Sequence, residues 1–251
     1  MGAVFGTLGV ADGGDAGKVG SKYDDVIDSE FPGYENDASR ISVYLPLVLP
    51  PLLQTRAYIE AFMRAGTQPP AWRERALDAR LRRQQILERK DGTAPRLNAL
   101  ITEASLMYRW GSQADRRAQL ARLADMSRRP SIELRLLPFA AGPHPGMLSS
   151  IHIFDFPDDE DPSVVYLEND ATAMEVTRAD EVSSYTTIFG QIRDAALPPA
   201  ATTTHLEQLT KPCPSQQGTR GIRNVPNGSA KLPRIPKRPG AGRSPCEARS
   251  I

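Results

Sequence analysis

The succession of hydrophobic periods predicts an α+β fold, with N-terminal helices packed on an antiparallel sheet and a closing C-terminal helix. Two observations carry this. Apolar residues recur first at helical spacing, between about residues 49 and 88, and later alternate with polar ones in short runs between residues 131 and 168. A third observation sets the limits. Residues 1–22 are Gly-rich, residues 198–251 are Pro-rich and basic, and neither stretch has the apolar content to repay the entropy of ordering. The expected organisation is a flexible leader 1–22, an α+β domain 23–197 and a disordered tail 198–251.

Within the domain, LPPLLQTRAYIEAFMRAG places Leu52, Tyr58 or Ile59, and Phe62 or Met63 on one helical stripe. Pro50 and Pro51 suit its first turn, and Gly66 its end. A second helix is expected from Ala71 to Glu88, burying Leu77, Leu81 and Leu87 beneath a surface rich in arginine. Arg96–Thr102 reads as a strand, and Ser112–Met126 as a helix with Leu120, Leu123 and Ala124 inward. In Ser131–Leu137 the alternation of Ile132, Leu134 and Leu136 with Glu133 and Arg135 predicts a strand with one buried face. Ile151–Phe156 is apolar on both faces, as a central strand would be, and Val164–Glu168 is a further strand beyond the acidic turn 157–162. A last helix spans Ala179–Ala196. The connection LPFAAGPHPGM, residues 137–147, is expected to bring Ile151–Phe156 back beside Ile132–Leu136.

A net charge of +1 gives no global attraction to nucleic acid or membrane. The tail is the exception: Lys211, Arg220, Arg223, Lys231, Arg234, Lys237, Arg238, Arg243 and Arg249 face only Glu207 and Glu247. Both cysteines, Cys213 and Cys246, lie there, so no disulfide framework is expected in the folded part and a reducing cytoplasmic setting fits. No signal peptide and no apolar run of membrane-spanning length is present.

Candidate chemistries fail on spacing. GGDAGKVG departs from a phosphate loop at Asp12 and Val19. His144 and His152 have no partner at metal-ligand spacing; His152 reads as a polar residue on a strand face and His144 as a rim residue of a turn. No GxSxG occurs, and Asp158, Asp159, Glu160 and Asp161 lack EF-hand spacing. Arg73, Arg75, Arg80, Arg82, Arg83 and Arg89 are interspersed with Glu74, Asp78 and Glu88, the pattern of a solvated helix face with ion pairs. No helix-turn-helix pattern precedes residue 45. The expectation is a protein without enzymatic activity, cofactor, metal or catalytic residues; hydrolysis through His144 or His152 ranks last among the functions considered.

Five ordered stretches carry a resemblance: YENDASRISVYLPLVLPPLLQTRAYIEAF, LDARLRRQQIL, TEASLMYRWG, QLARLADMSRRPSIELRLLPFAAGPHPGM and VVYLE. Together, over residues 23–197, they are similar to the C-terminal domain of actinobacterial XRE-type helix-turn-helix regulators, an antitoxin-like family long labelled as of unknown function. Two departures stand out: Pro50-Pro51 replaces the family's Pro-Gly, and no DNA-reading domain precedes the resemblance. What the resemblance implies is transcriptional control through an interacting or sensing half. Its partners would be a small protein encoded nearby, a full-length homologous regulator or a second copy of the chain, with no membrane involved. The candidate ligand or partner surface is then Leu52, Leu53, Gln54, Thr55, Arg80, Arg83 and Gln84. To these are added Pro138, Phe139, Gly142, His144, Pro145 and Gly146 of the connecting loop, and Tyr166 and Glu168. A small-molecule-sensing domain is the alternative function, and non-specific nucleic-acid contact through the tail the third.

Overall fold

A computed structural model of the chain describes residues 31–158, 160–168 and 173–211. The expectations for the leader 1–22, and for the tail beyond Lys211 with both cysteines, lie outside the described residues. The elements are α1 (Phe31–Asp37), β1 (Arg40–Tyr44), α2 (Arg56–Arg64), α3 (Pro70–Arg83), β2 (Arg96–Thr102), α4 (Glu103–Met107), α5 (Gln113–Met126) and β3 (Ile132–Leu137). They continue with β4 (Ser150–Asp155), β5 (Val164–Glu168), β6 (Ala173–Val176), α6 (Ala179–Ala195) and α7 (Pro199–Thr210).

The strands form one sheet in the order β3-β2-β1-β4-β5-β6. The α+β expectation holds, with helices packed on this sheet, but the sheet is mixed. It is antiparallel through β1, β4, β5 and β6, and parallel through β1, β2 and β3. The parallel half follows from connectivity: α2 and α3 carry the chain from β1 to β2, and α5 from β2 to β3, and such helical crossovers return the strand in the same direction. The LPFAAGPHPGM connection therefore does not set Ile151–Phe156 beside Ile132–Leu136. Instead β4 pairs with β1, Tyr44 opposite Ile151 and Val43 opposite His152. RISVY is too short to advertise a strand by alternation, yet it occupies the middle of the sheet.

One face of the sheet presents Ile41, Val43, Leu97, Ala99, Ile101, Leu134, Leu136 and Phe154. Over it lie Phe31 of α1, Leu106 of α4, Leu120 and Leu123 of α5 and Leu206 of α7. The other face presents Tyr44, Leu100, Ile151, Ile153 and Val165 to Phe189 and Ile192 of α6. A third cluster joins Ile59, Phe62 and Met63 of α2 to Ala76 and Ala79 of α3. The expected inner residues of α5 are buried, whereas α3 buries Ala76, Ala79 and Arg80, leaving Leu77 and Leu81 half-buried. The small alanines let α3 approach α2 closely.

The domain also runs past the expected boundary at residue 197. Pro199 sits in the first turn of α7, whose Thr202 and Leu206 are fully buried against β3 and α5. Pro198-Pro199 starts a helix here rather than a disordered tail.

Candidate functional site

The Leu52–Thr55 stretch does not form a surface. Pro50 and Pro51 bend the chain into a 3-10 turn over Pro51–Leu53, and α2 begins only after Thr55, whose hydroxyl caps Tyr58 N at 3.2 Å. Leu52, Leu53 and Gln54 are buried. Irregular buried backbone leaves carbonyls that need donors. Gln84 Nε2 donates to Pro51 O (2.8 Å) and Gln54 O (2.9 Å), and Gln119 Nε2 to Leu53 O (2.9 Å). Arg122 Nε reaches Leu53 O at 3.2 Å, and Thr55 N donates to Gln119 Oε1 at 2.7 Å. Gln54 itself donates to Leu49 O and accepts from Arg80 Nη1 at 3.3 Å. Leu52, Leu53, Gln54 and Arg80 are thus buried parts of an internal scaffold, which corrects their assignment to a ligand or partner surface, while Thr55 and Gln84 remain half-buried beside it.

Arg80 and Arg83 do not belong to a solvated helix face either. Arg83 makes a two-pronged pair with Glu35 of α1, Nε to Oε2 at 2.7 Å and Nη2 to Oε1 at 3.1 Å, and lies 5.0 Å from the centroid of Phe31. Burial works against the Arg83 charge, but the adjacent Glu35 carboxylate outweighs it and raises the pKa. Arg80 is buried as well; loss of hydration lowers its pKa to about 10, so it remains a cation near neutrality. The expected helix-surface pairing does occur further out, between Arg82 and Asp78 at 3.3 Å.

Beneath this layer, Phe31 meets His152, Tyr166 and Phe154 edge-on, with centroids 4.9, 5.0 and 5.3 Å apart. His152 is buried, more deeply than a half-covered strand face implies. Burial, reinforced by the Arg83 charge, pushes its pKa down to about 3 and keeps the ring neutral. Its Nδ1 has no hydrogen-bond partner. Tyr166 belongs to this buried layer, and Glu168, half-buried at the end of β5, contributes negative charge toward Arg80 and Arg83.

The connecting loop behaves differently. His144 Nδ1 lies 3.2 Å from Gly142 O, a carbonyl that can only accept, so Nδ1 carries the hydrogen and Nε2 accepts from Tyr44 Oη at 2.8 Å. Burial raises the Tyr44 pKa to about 12, which keeps the phenol a donor. Gly146 has φ +81°, and a Cβ there would stand 2.7 Å from Ile192 Cδ1, so only glycine lets the loop lie this close to α6. Pro138 is half-buried at the strand exit, while Phe139, Gly142 and Pro145 are exposed.

This loop stands at the carboxyl edge of the parallel strands, where the chain leaves β1, β2 and β3 and enters β4. The exposed large apolar side chains concentrate there. Of eight among the described residues, six lie in these connections: Leu47 after β1, Met107 and Tyr108 after β2, Phe139 after β3, and Met147 and Leu148 before β4. Leu148 is 99% exposed and Phe139 64%. The edge is held by Phe139 N donating to Glu103 Oε2 at 2.8 Å and Thr102 Oγ1 donating to Pro46 O at 2.7 Å. Of the loop residues expected at a partner surface, Phe139 belongs to this edge. Leu47, Met107, Tyr108, Met147 and Leu148 were not singled out in the sequence, because they stand beside apolar residues such as Leu45, Leu49 and Leu106 that the fold buries, and sequence alone does not separate the two.

Beside the same edge lies a small recess of about 20 Å³, room for one or two water molecules, between the segments that follow β1 and β2. Leu49, Leu106 and Leu120 form its apolar floor, with Tyr58, Tyr108 and Trp110 as aromatic walls. Ser105, Asp115, Arg116 and Gln119 complete it. Trp110 Nε1 and Arg116 Nε are buried donors without a partner. Tyr58, its pKa raised to about 12 chiefly by burial, accepts from Leu49 N at 3.2 Å, which leaves its hydroxyl hydrogen for a further acceptor. None of these residues was singled out as a site in the sequence. The cluster Tyr108-Arg109-Trp110, set between a strand end and the capping residue Ser112, was the available signal.

Among the described residues, no group of three or more His, Cys, Asp or Glu side chains could hold a metal ion, and no helix is long and apolar enough to cross a membrane. No curated protein matches the chain. Residues 29–208 match the family described as a domain of unknown function, DUF5753, a span that takes in α1 and nearly all of α7. By that match, which covers most of its length, the chain belongs to the DUF5753 family.

Proposed function

We propose that this chain is the regulatory half of an antitoxin-like transcriptional regulator of the actinobacterial XRE type, working by protein contacts made at the carboxyl edge of its parallel strands. One observation carries the reading: six exposed large apolar side chains gather in the connections at that edge, whereas single exposed apolar residues elsewhere are ordinary. The contacts are with a small partner protein, a full-length related regulator or a second copy of the chain. Such a role implies action in the cytoplasm. Size-exclusion chromatography with light scattering, on the chain alone and mixed with each candidate partner, tests it. A complex or dimer is expected, and a monomer that binds neither partner contradicts it.

The alternative, a small-molecule-sensing domain, is favoured by the small, largely apolar recess beside that edge. Thermal shift against a metabolite collection tests that alternative; ligand-dependent stabilisation supports it and flat melting curves remove it.

A further inference from the structure

We propose that the apolar edge takes an acidic, amphipathic protein segment, which lies over Met107 and Tyr108 with its carboxylates on a neighbouring group of arginines; this rests on the reading of that edge as a partner surface. The inference starts from unpaired charge. Surface arginines elsewhere have carboxylates at hand, as Arg40 has Asp155, Arg56 has Glu60, Arg129 has Glu88 and Arg135 has Glu133. Arg64, Arg109, Arg116 and Arg117 form no ion pair among the described residues. Arg64, Arg109 and Arg117 are exposed, and Arg116 is half-buried with Nη2 donating to Leu106 O at 3.3 Å. Packing gathers these four at one place. Tyr108, Trp110, Asp115 and Arg116 line the same recess, which sets the adjoining Arg109 and Arg117 beside it. The rings of Phe62 and Trp110, with centroids 5.2 Å apart, bring the end of α2 and its Arg64 to the same spot. The Asp115 carboxyl is held below its usual range by hydrogen bonds from Ser112 first, and by the Arg64 charge as well.

Residues 103–117 hold two carboxylates, and both are engaged within the chain. Asp115 Oδ2 accepts from Ser112 N and Ser112 Oγ at 2.8 and 2.7 Å, and Glu103 Oε2 from Phe139 N at 2.8 Å. The surplus of charge is positive, and it borders the exposed side chains of Met107 and Tyr108. A partner that matches both features carries carboxylates flanking an apolar stripe, as an acidic amphipathic helix does. A second copy of the chain fits less well. A two-fold axis sets one patch against itself, and here it would bring arginines toward arginines. A nucleic-acid strand would meet the arginines but give Leu47, Met107 and Leu148 no apolar contact.

The probe is a fluorescent peptide of about 14 residues with leucine at i, i+3, i+4 and i+7 and glutamate elsewhere, titrated with the full chain and read by anisotropy. Saturable binding is expected, weakening at least about tenfold as salt rises from about 0.05 to 0.5 M. The same peptide with glutamine for every glutamate, and a single-stranded oligothymidine, should each bind at least about tenfold more weakly. Arg109→Glu combined with Arg117→Glu should weaken the acidic peptide at least about tenfold at an unchanged melting temperature, since both side chains are exposed and unpaired. Arg109→Gln with Arg117→Gln serves if the charge reversal melts early. No saturable binding, a neutral peptide or oligothymidine as tight as the acidic peptide, or unchanged affinity in a folded arginine variant would each overturn the inference. A neutral peptide that binds as tightly and is lost in Leu148→Ser would overturn the acidic partner while leaving the apolar edge standing.

Discussion

Thr202 Oγ1 accepts the backbone N–H of Leu136 at 3.0 Å, while Leu197 N donates to Leu136 O at 2.8 Å. β3 is an edge strand, and these two bonds occupy the backbone groups that Leu136 would otherwise offer to another chain. Thr202→Val keeps the shape and leaves the Leu136 N–H buried without an acceptor. The expected cost is about 1–3 kcal/mol in urea unfolding. An unchanged midpoint would mean that the hydroxyl is not the acceptor the geometry indicates.

Chain ends at Leu197 and at Lys211 should behave differently. The first removes α7 with its buried Leu206, worth about 2 kcal/mol of apolar burial by itself, and uncovers the edge of β3. A lowered melting temperature and association through the exposed strand are expected. The second keeps α7 and should melt as the whole chain does, which differential scanning calorimetry would show.

That contrast also marks how far the fold was legible. Where period and length agreed, as in β2, β3, β4 and α5, element positions came within a residue or two of those found. RISVY and AMEV were too short to show a period, and without β1 the sheet order and the parallel half could not be read. α7 was hidden by its setting: PAATTTHLEQL is polar enough to pass for tail, and only packing on α5 and β3 makes it a helix. The site was less legible still. Leu52–Thr55 and Gln84 looked like a recognition motif, but their constraint is internal, because a 3-10 turn rich in proline needs outside donors for its carbonyls. The recess is assembled from residues 49 to 120, and only the folded chain brings Tyr58 to Trp110.

Glu35 and Arg83 should show strong non-additivity. Glu35→Leu strands the Arg83 guanidinium in a largely buried place and is expected to cost about 3–5 kcal/mol. Glu35→Leu combined with Arg83→Met removes both charges and should cost clearly less than the single change. A double-mutant cycle in urea checks this; a double variant no more stable than Glu35→Leu would contradict it.

Acid stability should depend on His152. Its imidazole titrates near 6.5 when unfolded and near 3 when buried, so below about 6.5 the unfolded chain binds the proton that the folded chain refuses. The contribution is therefore fully present above about pH 6.5 and is lost as pH falls toward 3, with a slope of up to about 1.4 kcal/mol per pH unit. His152→Phe should flatten that part of the stability profile between pH 6 and 4. An unchanged slope would show that the acid sensitivity lies in other groups.

The central claim is that the apolar edge is where this chain meets its partners. Phe139→Asp combined with Leu148→Asp alters two exposed side chains of that edge and leaves the hydrogen bond from Phe139 N to Glu103 available. The most direct measurement is the affinity of wild type and double variant for the small partner protein, for a full-length relative and for self-association, with melting temperatures recorded in parallel. The account predicts a complex or dimer with the wild type that weakens at least about 100-fold in the variant, roughly 2.7 kcal/mol, at an unchanged melting temperature. Equal affinities for wild type and variant, or a wild type that binds none of the three, would contradict it.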